Sequence, residues 1–310
     1  MLLGVEIGGT KLQIVAGDSS AGIDRRWRGT VRPELGGAGI CQQIRGVVAE
    51  WIGGTDGFRA RAAGVGFGGP VDTVTGRIRR SHQIDGWEDF PLRDWLAELV
   101  QAPVLVDNDA NVAALGEAVR GAGAGSDPVF YVTLGSGVGG GLVAGGKIYH
   151  GAPPGEAEFG HVRLGRDGAT VESRCSGWAV DARIRRLRSD QPGSFLARAI
   201  GDTPGGEARH LAAALQKEDP AAIGILHELA DDLAFALSHA VHLFHPRIIV
   251  LGGGLSLVGE PLRVAISGAL PVYVMKAFLP GPAVRLAGLG EDSVPIGALE
   301  LAARHAVAGV

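Results

Sequence analysis

Apolar and polar positions fall in blocks along this chain, and the blocks predict its elements. "LLGVEIGGTKLQIVAG" is an apolar run, a Gly-Gly turn and a second run with partial alternation, which predicts a β-hairpin turning at Gly8 and Gly9. "IDRRWRGT" predicts a third strand, and helical spacing of apolar residues from Ile40 to Trp51 predicts a helix. "RAAGVGFGG" reads as a buried strand leaving into a glycine turn, "VLVDND" as another strand and "ANVAALGEAVRGA" as a helix. "GAGAGSDP" after it has the composition of a linker. Past that point the order begins again. "PVFYVTLGSGVGGGLVAGGKIYHG" is strand, glycine turn, strand, so two similar halves are expected. Helices prevail from about Trp178 to Phe244, with a long one in "ILHELADDLAFALSHAVHLF". "RIIVLGGGLS" predicts a strand ending in three glycines, with a helix from about Glu260, and "VPIGALELAARHAVAG" predicts a terminal helix.

Length adds a boundary: 310 residues suit two domains or one large α/β unit. The 51 glycines sit in short groups where apolar strands end, which suggests backbone brought close to a ligand rather than a flexible linker. A net charge of -4 without a basic stripe argues against nucleic acid as a partner. No stretch approaches the roughly 20 apolar residues of a membrane span, and the opening "MLLGVEIGGTK" has no basic leader, so a cytoplasmic protein without a membrane partner is expected. Cys41 and Cys175 are the only cysteines, which gives no disulfide framework and no sulfur cluster for zinc.

The glycine turns carry the candidate chemistry. "EIGGTK" sets Gly8, Gly9, Thr10 and Lys11 at a hairpin tip beside Glu6; small residues let backbone N–H groups approach phosphate oxygens, and Glu6 could hold Mg²⁺ through water. An ordinary tight turn is the plain alternative. "TLGSGVGGG", with Gly135, Ser136 and Gly137, repeats the chemistry in the second half, and "VLGGG", with Gly253 and Gly254, offers a flat surface for a base or ribose. No Walker-type or Rossmann glycine pattern is found. "VLVDNDANVAALGE" sets Asp107, Asn108 and Asp109 where a strand meets a helix. They could cap the helix, or supply a base beside a polar substrate clamp. His82, His150 and His210 lack ligand spacing and read as structural.

In order, "GVEIGGTK", "GVGFGGPVD", "VLVDNDANVAALGE", "TLGSGVGGGLV", "GEAEFGH" and "IIVLGGGLS" resemble the ROK family of sugar kinases and related repressors, from about Leu3 to "GEDSVPIGALELA". The resemblance implies an α/β protein with the actin-like ATPase (ribonuclease H-like) fold, two domains around a cleft. Residues 1–120 would form the N-terminal domain, 121–294 the C-terminal one, and helix 295–310 would pack back on the first. It implies Asp109 as the general base that takes the proton from a sugar hydroxyl, with Asn108 on a neighbouring hydroxyl and the helix beginning near Asn111 presenting its N-terminus. Gly69, Gln83, Glu158, His161 and Glu172 would complete the sugar site. ATP would lie on the Gly8–Lys11, Gly135–Gly137 and Gly253–Gly254 turns, with Mg²⁺ near Glu6, and a homodimer is implied. The family's three closely spaced cysteines after the histidine are missing from "HVRLGRDGATVESRC", so no zinc is expected. The expected activity is ATP-dependent phosphorylation of a hexose, foremost glucose at its 6-hydroxyl. Fructokinase, N-acetylhexosamine or aminosugar kinase activity are the alternatives within the class, and a non-catalytic sugar-sensing or sugar-binding protein is the alternative outside it. The chain starts at the phosphate hairpin, so no DNA-binding segment is expected before it.

Overall fold

The computed structural model describes residues 1–18, 22–54, 58–79, 84–152 and 157–308, with side chains described as far as 304. The chain divides into two compact units, one of Met1–Gly125, Gly141–Ala157 and Glu291–Val310, the other of Ser126–Gly140 and Glu158–Gly290.

The first half runs β1 (Leu2–Ile7), β2 (Lys11–Asp18), β3 (Gly22–Thr30), α1 (Gly36–Gly53), β4 (Ala62–Phe67), the short pair β5 (Val71–Asp72) and β6 (Arg77–Ile78), α2 (Leu92–Val100), β7 (Val104–Asn108) and α3 (Asp109–Val119). Its sheet has the order β3-β2-β1-β4-β7, with β1, β2 and β3 antiparallel and β1, β4 and β7 parallel. Every residue of β1 and β4 is buried, as expected of strands covered on both faces. Leu3, Val5 and Ile7 join Ile40, Ile44 and Val48 of α1 and Leu92 and Leu96 of α2 in one core.

The second half runs β8 (Val129–Leu134), β9 (Val138–Ala144), β10 (Lys147–Ile148), α4 (Val171–Cys175), α5 (Gly177–Asp190), α6 (Phe195–Ala199), α7 (Leu211–Gln216), α8 (Pro220–Phe244), β11 (Ile248–Gly252), α9 (Glu260–Tyr273) and β12 (Ala283–Leu286), and closes with α10 (Ser293–Ala308). The sheet order β10-β9-β8-β11-β12 repeats that of the first sheet. The repeated strand-turn-strand pattern in the sequence therefore marks a repeated topology. No helix among the described residues is long and apolar enough to cross a membrane.

Helix α10 covers the other face of the first sheet, where Leu299 and Ala302 pack with Leu2, Val15 and Ala62. The approach is close enough to demand glycine. A Cβ on Gly64 would lie 2.0 Å from the Ala298 carbonyl oxygen, one on Gly116 of α3 2.4 Å from that of Ser293, and one on Gly297 1.8 Å from that of Val112. Part of the glycine richness thus serves helix packing and not ligand approach.

A polar chain anchors the start of α10. Arg26 of β3 grips Asp292 through two hydrogen bonds of 2.5 and 2.8 Å, and Gln13 of β2 accepts from Arg26 and Arg28 while donating to Glu6 at 2.7 Å. The Arg26 guanidinium holds the Asp292 carboxyl below its ordinary value of 3.8. A lowered folded-state value means stabilisation that is present above that ordinary value and lost as pH falls through the folded one. Asp292→Asn should therefore cost about 1 kcal/mol at neutral pH, the upper end for a half-exposed pair. In thermal melts the gap between variant and parent should narrow below pH 3.8; a gap independent of pH would refute the linkage.

Candidate active site

Strands β1, β4 and β7 end in register, with Ile7 beside Phe67 and Phe67 beside Asn108. Parallel strands in α/β sheets present ligand sites at these carboxyl ends. The "DND" stretch divides its roles there. Asn108 is the N-cap of α3: its Oδ1 accepts from the N–H groups of Ala110 at 2.9 Å and Asn111 at 3.3 Å. The helix thus begins at Asp109, two residues earlier than the sequence suggested, because the amide side chain supplies the cap. The Asn108 Nδ2 donates to the Gly69 carbonyl at 3.3 Å, which brings these two predicted sugar residues together.

Asp109 opens the first turn of α3 and is half-buried. A Cβ on Gly68 would lie 3.3 Å from Asp109 Oδ2, 3.3 Å from the Ile7 carbonyl oxygen and 3.5 Å from the Gly8 Cα. Gly68 therefore leaves the space in which the Asp109 carboxylate stands next to the hairpin tip. Asp107 is buried at 3 % exposure and structural. Its Oδ1 accepts from the Asn108 N–H at 2.8 Å and the Asn111 Nδ2 at 3.0 Å, while its Oδ2 lies 2.6 Å from His150 Nε2. Sequence spacing gave no sign of this last pair, whose members are 43 positions apart.

At the hairpin the Gly8 N–H donates to the Lys11 carbonyl at 2.9 Å, closing the turn, and Thr10 is exposed at its tip. Lys11 Nζ lies 3.1 Å from Glu6 Oε1, and Gln13 Nε2 holds the other Glu6 oxygen. Burial pushes the Glu6 carboxyl above its ordinary range, opposed by Lys11. Gln83 lies outside the described residues.

In the second unit the Gly135 N–H donates to the Gly137 carbonyl at 2.9 Å, and the Gly177 N–H at the start of α5 donates to the Gly135 carbonyl at 2.7 Å. The turn thus sits on the amino end of α5, capped by Ser176, where helix N–H groups favour anions. Gly253 at the end of β11 has φ +80° and packs so tightly that a Cβ would be 2.6 Å from the Leu134 backbone. Gly253, Gly254 and Ser136 are exposed. Glu158 and His161 flank a single 3₁₀ turn, both exposed, with carboxylate and imidazole 3.9 Å apart. The turn is pinned by buried Phe159, whose ring meets Phe130 edge-on at 5.5 Å.

Glu172, in contrast, reaches the glycine turn. Its Oε2 accepts from the Val138 N–H at 3.0 Å, and a Cβ on Gly137 would come within 2.5 Å of it. The loop that precedes it closes through backbone bonds from Leu164 to Ala169 and from Val171 to Val162, and through a reciprocal Thr170–Ser173 capping box. Cys175, the last residue of α4, is buried, its thiol pushed up to about 12 by that burial. Among the described residues no three His, Cys, Asp or Glu side chains are grouped to hold a metal.

Comparison with known proteins converges on one family. The description "ROK family" matches residues 2–305. The glucokinase of Halalkalibacterium halodurans is 32% identical over 95% of this chain and 92% of its own, and that of Thermotoga maritima 30% identical over 97% and 96%. The crystal structure of a ROK family glucokinase from Streptomyces griseus in complex with glucose and AMPPNP superposes with a TM-score of 0.81 at 32% identity, covering 98% of this chain and 99% of that one. The fold is the actin-like ATPase fold of these sugar kinases, in two domains. The chain belongs to the ROK family.

Proposed function

We propose that this protein is an ATP-dependent glucokinase that transfers the γ-phosphoryl group to the 6-hydroxyl of glucose. The observation that carries the reading is the Asp109 carboxylate, set on the first turn of α3 in the space left by Gly68 and beside the Gly8 turn. Phosphoryl transfer asks the protein chiefly to position groups and neutralise charge, with a carboxylate accepting the alcohol proton late in the step. Asp109 is that base. Asn108, whose Oδ1 is committed to the helix cap, offers the second hydrogen of Nδ2 to a sugar oxygen, beside Gly69. Glu158, His161 and Glu172 supply further sugar contacts, as does Gln83. The exposed Glu158 and His161 pair supports the first two, and Glu172 would reach the sugar from the Val138 amide that it now holds.

ATP is held by the Gly8–Lys11 and Gly135–Gly137 turns, with its base by Gly253 and Gly254. The α5 amino end behind Gly135 supports the phosphate assignment. Magnesium enters with ATP as part of that substrate and neutralises the phosphates. Glu6 fits an outer role towards it, since each of its oxygens keeps a lone pair beyond Lys11 and Gln13 for a metal-bound water. The enzyme works in the cytoplasm, where ATP is supplied, as a homodimer; the exposed apolar side chains of Leu243, Val272 and Met275 around the ends of α8 and α9 support the dimer.

The test is ADP release with ATP and Mg²⁺ over glucose, fructose, mannose, glucosamine, N-acetylglucosamine and N-acetylmannosamine. Glucose should give the highest kcat/KM. A different preferred sugar would move the substrate within the class, and silence over the whole panel from folded protein would end the kinase reading.

A further inference from the structure

We infer that His150 is a positioning residue for the catalytic base, acting through Asp107 on the turn that carries Asp109; the inference rests on the kinase reading. The Asp107 side chain is only 4% exposed, and a buried carboxylate requires donors. Two of its donors, the Asn108 N–H and the Asn111 side chain, belong to the same strand-to-helix turn. The third, His150 Nε2 at 2.6 Å, comes from the segment that follows β10. An ionised carboxylate only accepts, so the imidazole nitrogen is the donor in this pair. Asp107 Oδ2 is thereby fixed, which fixes Oδ1 against the Asn108 N–H and the Asn111 amide. Those two residues are the cap and first turn of α3, and Asp109 stands between them.

The segment that delivers His150 is itself laid against α3. A Cβ on Gly141 would lie 2.8 Å from the Ala110 carbonyl oxygen and 2.7 Å from the Ala114 Cβ, so β9 touches the first turns of that helix directly. The hairpin that leads to His150, tied to β9 by the Tyr149 N–H on the Leu142 carbonyl, thus lies on the helix whose amino end His150 steadies through Asp107. Removing the imidazole donor leaves Asp107 Oδ2 short of a partner in a buried place, and the carboxylate must turn to find another. The Asn108 amide then loses its acceptor and the position of Asp109 blurs. Misplacement of a reacting group by about 1 Å can cost about 100-fold in rate.

The experiment compares His150→Phe, which removes the donor, with His150→Gln, whose amide nitrogen sits near the place of Nε2. His150→Phe should lower kcat for glucose by about 10- to 100-fold with the KM values for ATP and glucose within about threefold of the parent. His150→Gln should recover kcat to within about threefold, which a space-filling role for the ring would not do. Should His150→Phe fail to fold, His150→Ala, which likewise carries no side-chain donor, replaces it in the same comparison. Hydrogen exchange at the Asn108 amide should be at least about tenfold faster in the donorless variant than in the parent and His150→Gln. A donorless variant with kcat within about twofold of the parent, or a Gln variant as impaired as the donorless one, overturns the proposal. If the parent itself turns over no sugar, the kinase reading fails, and the exchange comparison alone decides whether His150 holds the turn.

Discussion

Asp109→Asn is expected to lower kcat for glucose phosphorylation by about 10²- to 10⁴-fold, the range of a lost general base. The amide has the size of the carboxylate, so it keeps the first turn of α3 and fits the same space over Gly68. What it lacks is a lone pair basic enough to take the sugar proton. The cap belongs to Asn108 and the buried network to Asp107, so both of these remain in the variant. KM for ATP should accordingly stay within about threefold, and the melting temperature should hold. A fall in KM-independent turnover of less than about tenfold would place the base elsewhere.

Gly297→Val is expected to produce the largest loss of stability. The new Cβ would stand 1.8 Å from the Val112 carbonyl oxygen and its branches would find Gly116 and α3 already in contact. Backbone cannot swing aside as a long side chain can, so the two helices must separate. Overpacking of this kind costs about 1–3 kcal/mol or more. Separation also strains the Ser293–Glu117 hydrogen bond of 2.8 Å and the Arg120–Glu300 ion pair of 2.7 Å, which tie the same helices. At about 2–4 °C per kcal/mol, a drop in melting temperature of roughly 2–12 °C should be seen by circular dichroism. An unchanged melting temperature would mean that α10 slides along α3 without cost. Because α3 carries Asp109, kcat should fall as well, and glucose with ATP analogue should restore part of the stability.

The hairpin of β1 and β2, the strand ending in "VLGGG" and the long helix α8 were legible because each carries an unbroken apolar rhythm and a glycine or polar stop. Helix α2 and strand β12 were not foreseen; nine and four residues are too few to establish a period against their surroundings. The start of α3 was read two residues late because "DNDAN" offers several capping side chains in succession, and only backbone geometry selects Asn108. Glycines at 64, 116 and 297 look in sequence like those at 8, 135 and 253, yet they serve helix packing, a distinction that depends on neighbours far along the chain. The Asp107–His150 pair is hidden for the same reason. Glu172 was named from the family motif, but its bond to the Val138 amide follows from a turn whose closure no local pattern announces.

The docking of α10 on α3 has a consequence for the chain during its synthesis. Glu117 and Ser293 are separated by 176 positions, so the first unit lacks its covering helix until that whole intervening stretch has been made. At about 5–20 residues per second, the wait is roughly 10–35 s. For that time the sheet face bearing Leu2, Val15 and Ala62 has no lid, and the glycines that admit α10 leave a shallow apolar trough open to other chains or to a chaperone. The nascent chain is therefore open to association on this face while the segment between α3 and α10 is being translated, and emergence of α10 from the ribosome is the event that ends the hazard.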